Sequence, residues 1–570
     1  MATVAVQPQM TPPPAYRRRR RRLAGWLLAA FFASFAAYVT RLHEITHDVF
    51  HEMALAREML HEGFPTRDAF AFTPTVAPVV HHEWGTGLAL YAATMSSGLG
   101  VWGLALLRWG LIAVLWFTLY RVARLRGAAP EIFVLCSLLV FPLLWVGFST
   151  LRAQLFTLTF LAIQLWMQQL DWRGRRAWVI AWAGLLVVWL NLHAGFVVGV
   201  GLMTWHVLER IATTVRATGR WSAVWRATGH LALLPPLTVA ALFCNPYGWS
   251  YLPYLQRALT MPRPTIAEWQ PLWQTHAAGW TLICFVLGLL VAFAAGLRQR
   301  RQRGVGAASL LLAAAMALRH IRHGSIYAVL WIAYVPAWVT RTAVGAHFLR
   351  WLRQREASAI PWAQTAFVAS LAFALVHQGW RPTLPGVPQY SSICYPTEAV
   401  EYLRQANFRG NLWTPFHAGA YVSWVLHPAV KVSLDGRYEV AYAPGVLEAH
   451  DRFFDGGARW WDLLDQYSVD AVLVPQEAPV RRSLAMIESN TMIESTLGES
   501  ADNRWTPVRN SADLPLPTTV SHWQRVYEDG SYLILARTEL NLPMVLRPAV
   551  RPTDAAIPAF DRSLALPSGR

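Results

Sequence analysis

Apolar runs recur along the first two thirds of the chain, from Leu23 to Val376, and polar or arginine-rich segments separate them. A hydrocarbon core about 30 Å thick takes roughly 20 apolar residues per helix. The pattern therefore predicts transmembrane helices at 23–40, 102–120, 131–148, 153–169, 177–191, 194–210, 229–243, 279–297, 305–319, 324–341 and 361–378. Residues 85–98 are apolar but short, and predict a helix lying along the outer interface rather than a further crossing. Beyond 379 short strand-like runs (Leu412–Pro415, Val430–Leu434, Ala471–Val474) alternate with helix-like ones (Thr397–Gln405, Ala418–Leu426, Trp460–Gln466). That alternation predicts an α/β layer.

The predicted fold class is thus a multi-pass α-helical membrane protein of about eleven spans with a C-terminal extracytoplasmic α/β domain. Its parts are an Arg-rich disordered tail (1–22), a transmembrane domain (23–378) with an external loop at 41–84, and a soluble domain (379–570). A cleaved signal peptide ending near Ser34-Phe35-Ala36 is the alternative to a retained anchor.

Composition supports the membrane class: 54% of the 570 residues are hydrophobic and 15% charged. In a soluble chain the net charge of +17 would point to nucleic acid. Here the placement of arginine argues otherwise. The cytoplasmic segments of this topology hold 24 arginines and the external connections before residue 378 hold eight. This is the positive-inside asymmetry; it puts the N-terminus in the cytoplasm and, with an odd number of crossings, the C-terminal domain in the periplasm or its equivalent. Cys136, Cys244, Cys284 and Cys394 have no metal-ligand spacing.

Under this topology the unusual polar residues collect at the outer ends of helices. The first external loop holds Glu44, Asp48, Glu52, Glu58, Glu62, Asp68 and Glu83, with His43, His47, His51, His61, His81 and His82. Later come Arg152 and Gln154, Asn191 and His193, Asn245, Arg263, Glu268 and Trp269, and Arg319, His320, Arg322 and His323. Charged groups at membrane depth are costly unless they are paired or hydrated, so such a gathering marks a functional site. Carboxylates facing cations from separate helices suit a reaction with a carboxylate base and a phosphate leaving group. Glu44, Asp48 and Glu52 recur at i, i+4, i+8 and form a helical stripe beside one of His43, His47 and His51; a solvated amphipathic helix at the membrane surface explains the same spacing.

Several stretches carry a resemblance: His47-Asp48-Val49-Phe50-His51 running to Arg57, Gly63–Phe70, His82-Glu83-Trp84, Leu151–Leu155, Trp189–Gly195, Asn245-Pro246-Tyr247-Gly248, Glu268-Trp269 and Leu434-Asp435-Gly436-Arg437. In order and spacing these resemble a bacterial group within the GT-C superfamily of membrane glycosyltransferases, relatives of the protein O-mannosyltransferases and aminoarabinose transferases. The resemblance implies transfer of a sugar from a polyprenyl-phosphate donor on the outer face of the membrane, with inversion. It implies Asp48 as the base, with Asp68 and Glu83 orienting it, binding a divalent cation (Mg or Mn) or holding sugar hydroxyls. Arg152, His193, Arg263, Arg319, Arg322 and His323 are then expected to hold the lipid phosphate, and Gln154, Asn191, Asn245, Glu268 and Trp269 to contact sugar or acceptor. The chain departs from the group's pattern at Thr46, where an Asp is usual, and at Ala153, where a Pro follows the arginine.

Two rival classes fit parts of the sequence. His43-Glu44-x-x-His47 matches the H-E-x-x-H zinc pattern of metalloproteases. A transporter or assembly subunit for an envelope polysaccharide would use the C-terminal domain for partners and place polar groups near the midplane, where Arg108 is the clearest intramembrane charge. Asp435-Gly436-Arg437 reads as a turn closed by an Asp435–Arg437 pair, or as a sugar contact. Trp413, His417, Tyr421 and Trp424 read equally as an aromatic carbohydrate platform or as core.

Overall fold

A computed structural model describes residues 14–39, 45–261, 266–274, 278–297, 306–377, 395–437, 441–457, 459–484 and 522–546. These residues are mostly helical, with 20 α-helices and one six-stranded sheet among them. The chain divides into two compact units: Met1–His43, Arg108–Cys244 and Pro262–Pro382 form one, and Glu44–Leu107, Asn245–Met261 and Thr383–Arg570 the other.

Over the described residues each predicted crossing coincides with helical structure, and among those residues four helices are long and apolar enough to cross a membrane: Val101–Leu125, Pro130–Phe148, Gly279–Leu297 and Glu356–His377. They point to a membrane protein. In the first unit the helix Gly324–Thr340 is the hub. Every residue from Gly324 to Trp338 is buried, which is the pattern of a helix apolar on all sides and surrounded by others. It packs against the helices Pro130–Phe148, Ala307–Arg319, Ala278–Leu297 and Ala153–Trp172. The helix Glu356–His377 packs along Pro14–Val39 and leaves Trp362, Leu375 and Val376 exposed. An apolar face of that size needs a lipid or protein covering.

Arginines fasten one end of this unit. Arg173 Nη2 donates to the Leu125 carbonyl at 3.1 Å, Arg176 Nη2 to that of Arg226 at 2.7 Å, and Arg341 Nη2 to that of Arg126 at 2.5 Å. Asp171, 1% exposed, forms an ion pair with Arg210, whose Nε is 2.7 Å away, and lies within 3.0 Å of both His206 Nε2 and His230 Nε2. Arg108, the charge expected within a span, is also bonded within the unit: its Nη2 donates to the Phe148 carbonyl at 3.2 Å.

In the second unit β1 (Gly410–Trp413), β2 (Val430–Val432), β3 (Ala471–Pro475), β4 (Trp523–Glu528), β5 (Tyr532–Arg537) and β6 (Val545–Leu546) form a mixed sheet in the order β2-β1-β3-β5-β4-β6. β1 runs parallel to β2 and β3, whereas β5 is antiparallel to β3 and β4. The three predicted strands and the three predicted helices are present; the hairpin β4–β5 and β6 are additions. The apolar alternation of β1, β3 and β5 buries Trp413, Val472, Val474, Leu533 and Leu535 against Phe453, Trp460 and Leu463.

The segment 70–76 of the loop 41–84 joins this sheet by isolated bridges at Ala71–Val432 and Thr75–Tyr442. Its amides and carbonyls pair with the last residue of β2 and with the chain beyond it: Phe72 N donates to Val432 O at 3.1 Å, Val432 N to Phe70 O at 2.9 Å, and Val76 N to Ala441 O at 2.8 Å. Thr73 Oγ1 adds a bond to the Ser433 carbonyl at 2.6 Å. The loop is thus built into the same unit as the C-terminal residues.

Candidate functional site

In the second unit the site grows from the helix His47–Glu62, which follows Thr46 and ends at Gly63. Its apolar residues Phe50, Met53, Ala54 and Ala56 are buried, Phe50 between Tyr395 and Tyr421 at ring separations of 5.1 and 5.0 Å. Arg57 donates to the Trp424 carbonyl at 2.9 Å, and His427 Nε2 lies 3.2 Å from Glu58 Oε2. This helix is therefore wedged among its own unit's elements rather than solvated on its polar stripes: His51 is 8% and Glu52 4% exposed. Glu44 and His43, the first members of the two stripes, lie outside the described residues.

Asp48 stands in the first turn of that helix. Its Oδ1 is 3.3 Å from His47 Nε2, and its side chain keeps 27% exposure. The turn Asp435-Gly436-Arg437 comes against it: a Cβ on Gly436 would collide with the His47 ring and sit 3.7 Å from Asp48 Oδ1. Glycine at 436 thus makes room for the His47–Asp48 pair.

Asp68 has a different place. Its side chain is fully buried; Oδ1 caps the amides of Phe70 and Ala71 at 2.9 and 2.7 Å, and Oδ2 accepts from Arg437 Nη1 at 2.5 Å. Arg437 is also bound by Asp435, through Nε at 3.0 Å and Nη2 at 2.6 Å, so the turn reading of this triplet holds. Burial alone would raise the Asp68 carboxyl, but Arg437 and His81 bring it below the usual carboxylate range. On the arginine, burial works against charge and Asp435 and Asp68 outweigh it. Such a paired, saturated carboxylate positions the loop and has no lone pair facing solvent for a substrate. His81, 5% exposed beside this cluster, is pushed down to about 3 by burial and by Arg437, so it is neutral at physiological pH.

Glu83 and Glu52 form the third element. His82 Nε2 lies 3.2 Å from Glu83 Oε1, and His51 Nε2 lies 3.2 Å from Glu52 Oε1. Burial raises the Glu52 carboxyl well above the usual range, and Glu83 adds to the rise. A Cβ on Gly87 would collide with the Glu52 carbonyl, which is why the helix Trp84–Tyr91 carries glycine where it crosses His47–Glu62. Tyr254 stacks on the His82 ring at 5.1 Å. Asn245 Oδ1 accepts from the Tyr247 amide at 2.8 Å and shapes the turn before Tyr254.

The remaining predicted residues lie in the first unit. Arg152 forms an ion pair with Glu268. Arg322 lies 4.5 Å above the Trp269 ring, and the His320 and His323 rings meet the same indole at 5.1 and 6.1 Å. Gln154 Nε2 donates to the Arg322 carbonyl at 3.1 Å. So Arg322 and His323 meet the Trp269 indole, Arg152 pairs with the adjacent Glu268, Gln154 bonds the Arg322 backbone, and Arg319 is exposed at the end of the neighbouring helix. His193 and Asn191 have other settings. His193 Nδ1 lies 2.7 Å from Thr157 Oγ1, and Asn191 Nδ2 donates to the Val187 and Cys244 carbonyls at 2.8 Å each. Arg263 lies outside the described residues.

Among the described residues no group of three His, Cys, Asp or Glu side chains is arranged to hold a metal ion. Three of the four aromatic platform candidates are core: Trp413, Tyr421 and Trp424 are at most 2% exposed, while His417 bonds Tyr532 Oη at 2.9 Å. Sequence reasoning missed Glu52 as a buried partner of Glu83 and His81 as a neutral member of the Asp68–Arg437 cluster. Their apolar sequence neighbours, Met53-Ala54-Leu55 and Val79-Val80, were the available signal of burial. No protein-family model matches the chain, and no curated protein is similar to it.

Proposed function

We propose that the protein is a glycosyltransferase of the cytoplasmic membrane that moves a sugar from a polyprenyl-phosphate donor to an extracytoplasmic glycan, lipid or protein acceptor. In this reading eleven helices cross the membrane, the N-terminus is cytoplasmic and the C-terminal part periplasmic. The observation that carries the assignment of the base is the contrast between Asp48, exposed to 27% beside His47, and the fully buried Asp68 and Asp435. A general base must reach the proton it abstracts, and Asp48 keeps that access.

Asp48 takes the proton from the acceptor hydroxyl or amine as that atom bonds the anomeric carbon. The bond from the anomeric carbon to phosphate oxygen breaks, and polyprenyl phosphate leaves with the electron pair. Attack from the opposite face inverts the anomeric centre. The first unit's candidates for a phosphate are Arg152, Arg319 and Arg322, since the guanidinium fork matches phosphate oxygens and stays charged. Arg152 must exchange Glu268 for the phosphate, so donor binding competes with an existing ion pair.

The test is release of polyprenyl phosphate from a panel of polyprenyl-phosphate sugars by the purified chain, with and without Mg or Mn. Wild type should turn over a member of the panel and Asp48→Asn should lose about 10²–10⁴-fold in rate. Wild-type turnover retained by Asp48→Asn sinks the base assignment. Absence of both turnover and binding across the panel sinks the enzyme reading in favour of a transporter or an envelope-assembly subunit.

A further inference from the structure

In the first unit the helices Ala153–Trp172 and Trp178–Leu192 form a hairpin joined by a turn at 173–177. Where the hairpin turns, its flank opens into a cavity of about 420 Å³, a volume within the range of about 300–1,000 Å³ typical of ligand pockets. Trp166, Met167, Leu170 and Trp178 give it apolar walls, and Arg175 and Arg176 stand at its rim. Both arginines are exposed. Arg176 spends one N–H on the Arg226 carbonyl, which leaves most of a five-donor guanidinium for another acceptor.

The floor is rigid. Trp178 is 4% exposed and meets the His206 and His230 rings edge-on at 6.3 and 6.4 Å. Those imidazoles are themselves held by the buried Asp171. The cavity is therefore set by packing and an ion cluster behind it. On the same hairpin Trp166 is 39% and Ile180 76% exposed, as befits side chains that face hydrocarbon.

An apolar hollow with two guanidinium groups at one edge is complementary to an amphiphile with an anionic head. We infer that this cavity binds an anionic diacyl phospholipid, its phosphate on Arg175 and Arg176 and an acyl chain along Trp166, Leu170 and Trp178. Arginine pairs with phosphate bidentately, and basic pockets between membrane helices take anionic head groups. A polyprenyl phosphate offers the same phosphate, but a bulk membrane component fills a site of moderate affinity by mass action where a scarce carrier does not. The inference rests on the membrane-spanning reading and is independent of glycosyl transfer.

The experiment is thermal unfolding of the full-length chain, delipidated in detergent and titrated with phosphatidylglycerol, phosphatidylcholine or polyprenyl phosphate. Phosphatidylglycerol should raise the midpoint by several degrees at concentrations where phosphatidylcholine does not. Arg175→Gln combined with Arg176→Gln should raise the half-saturating concentration at least tenfold, about 1.4 kcal/mol. Arg216→Gln with Arg220→Gln removes the same charge elsewhere and should leave that concentration within about twofold. Ala181→Trp, which fills the cavity wall with the charges intact, should abolish the response and serves if the double variant does not fold. Equal responses to the two phospholipids, a response to polyprenyl phosphate alone, or a phosphatidylglycerol response unchanged in both cavity variants would overturn the inference.

Discussion

Asp68 Oδ2 accepts a 2.5 Å hydrogen bond from Arg437 Nη1, joining residues 369 positions apart in the chain. The pair is buried and Asp435 completes it. Removing one partner of a buried ion cluster leaves uncompensated charge, at a cost of about 3–5 kcal/mol. Arg437→Met should lower stability by that amount, read as a fall in the thermal midpoint. Asp68→Asn combined with Arg437→Met should recover part of the loss, because fewer charges are left stranded.

His81 gives the second unit an acid-sensitive stability. Its folded pKa is lowered to about 3 from an unfolded value near 6.5, so below pH 6.5 the unfolded chain binds a proton that the folded chain refuses. Stability then falls with falling pH by up to about 1.4 kcal/mol per pH unit between about 6.5 and 3. His417, lowered to about 4 by burial and by His47, adds to the same trend. Denaturation followed from pH 7 to pH 4 should show a shallower slope in His81→Gln; an unchanged slope refutes the assignment.

Under the proposed glycosyl transfer, variants of the Arg152–Glu268 pair should separate donor binding from chemistry. Losing charge-assisted bonds to phosphate costs about 1.5–3 kcal/mol, so Arg152→Gln should raise the donor KM about 10–100-fold with a smaller effect on kcat. Glu268→Gln removes the competing carboxylate and should lower the donor KM. A rise in both variants would make the pair a structural strut.

Thr157 Oγ1 accepts from Trp189 Nε1 at 2.8 Å and contacts His193 at 2.7 Å. The indole is 1% exposed. Thr157→Val keeps the shape and strands that N–H, which costs about 1–3 kcal/mol. Thermal unfolding of the variant should show the loss, and Thr157→Ser should restore most of it.

The helices were legible because burial in lipid and burial in protein impose the same apolar run, and arginine marks where each run stops. β1, β2 and β3 were legible as short apolar strands bounded by turns. The hairpin Trp523–Arg537 was less so: Arg525 and Tyr532 interrupt its alternation, although Asp529-Gly530 is a turn signal. The site was legible as residue types only. Asp48 and Asp68 both occur in a polar loop, and their fates diverge because Arg437, far along the chain, claims Asp68 alone. Ala69–Phe72 is a short apolar run of strand length, but a strand's partner is chosen by pairing that local sequence does not encode.

The segment 70–76 pairs with the end of β2 at Val432, and an uncovered strand edge is a template for pairing with another chain. That edge cannot be closed by the residues made just before it. At about 5–20 residues per second, some 20–70 s of synthesis separate Asp68 from Arg437. For that interval the largely apolar segment 70–76 has not yet met its pairing partners. A segment made some 360 residues later therefore completes a structure begun near the start of the chain.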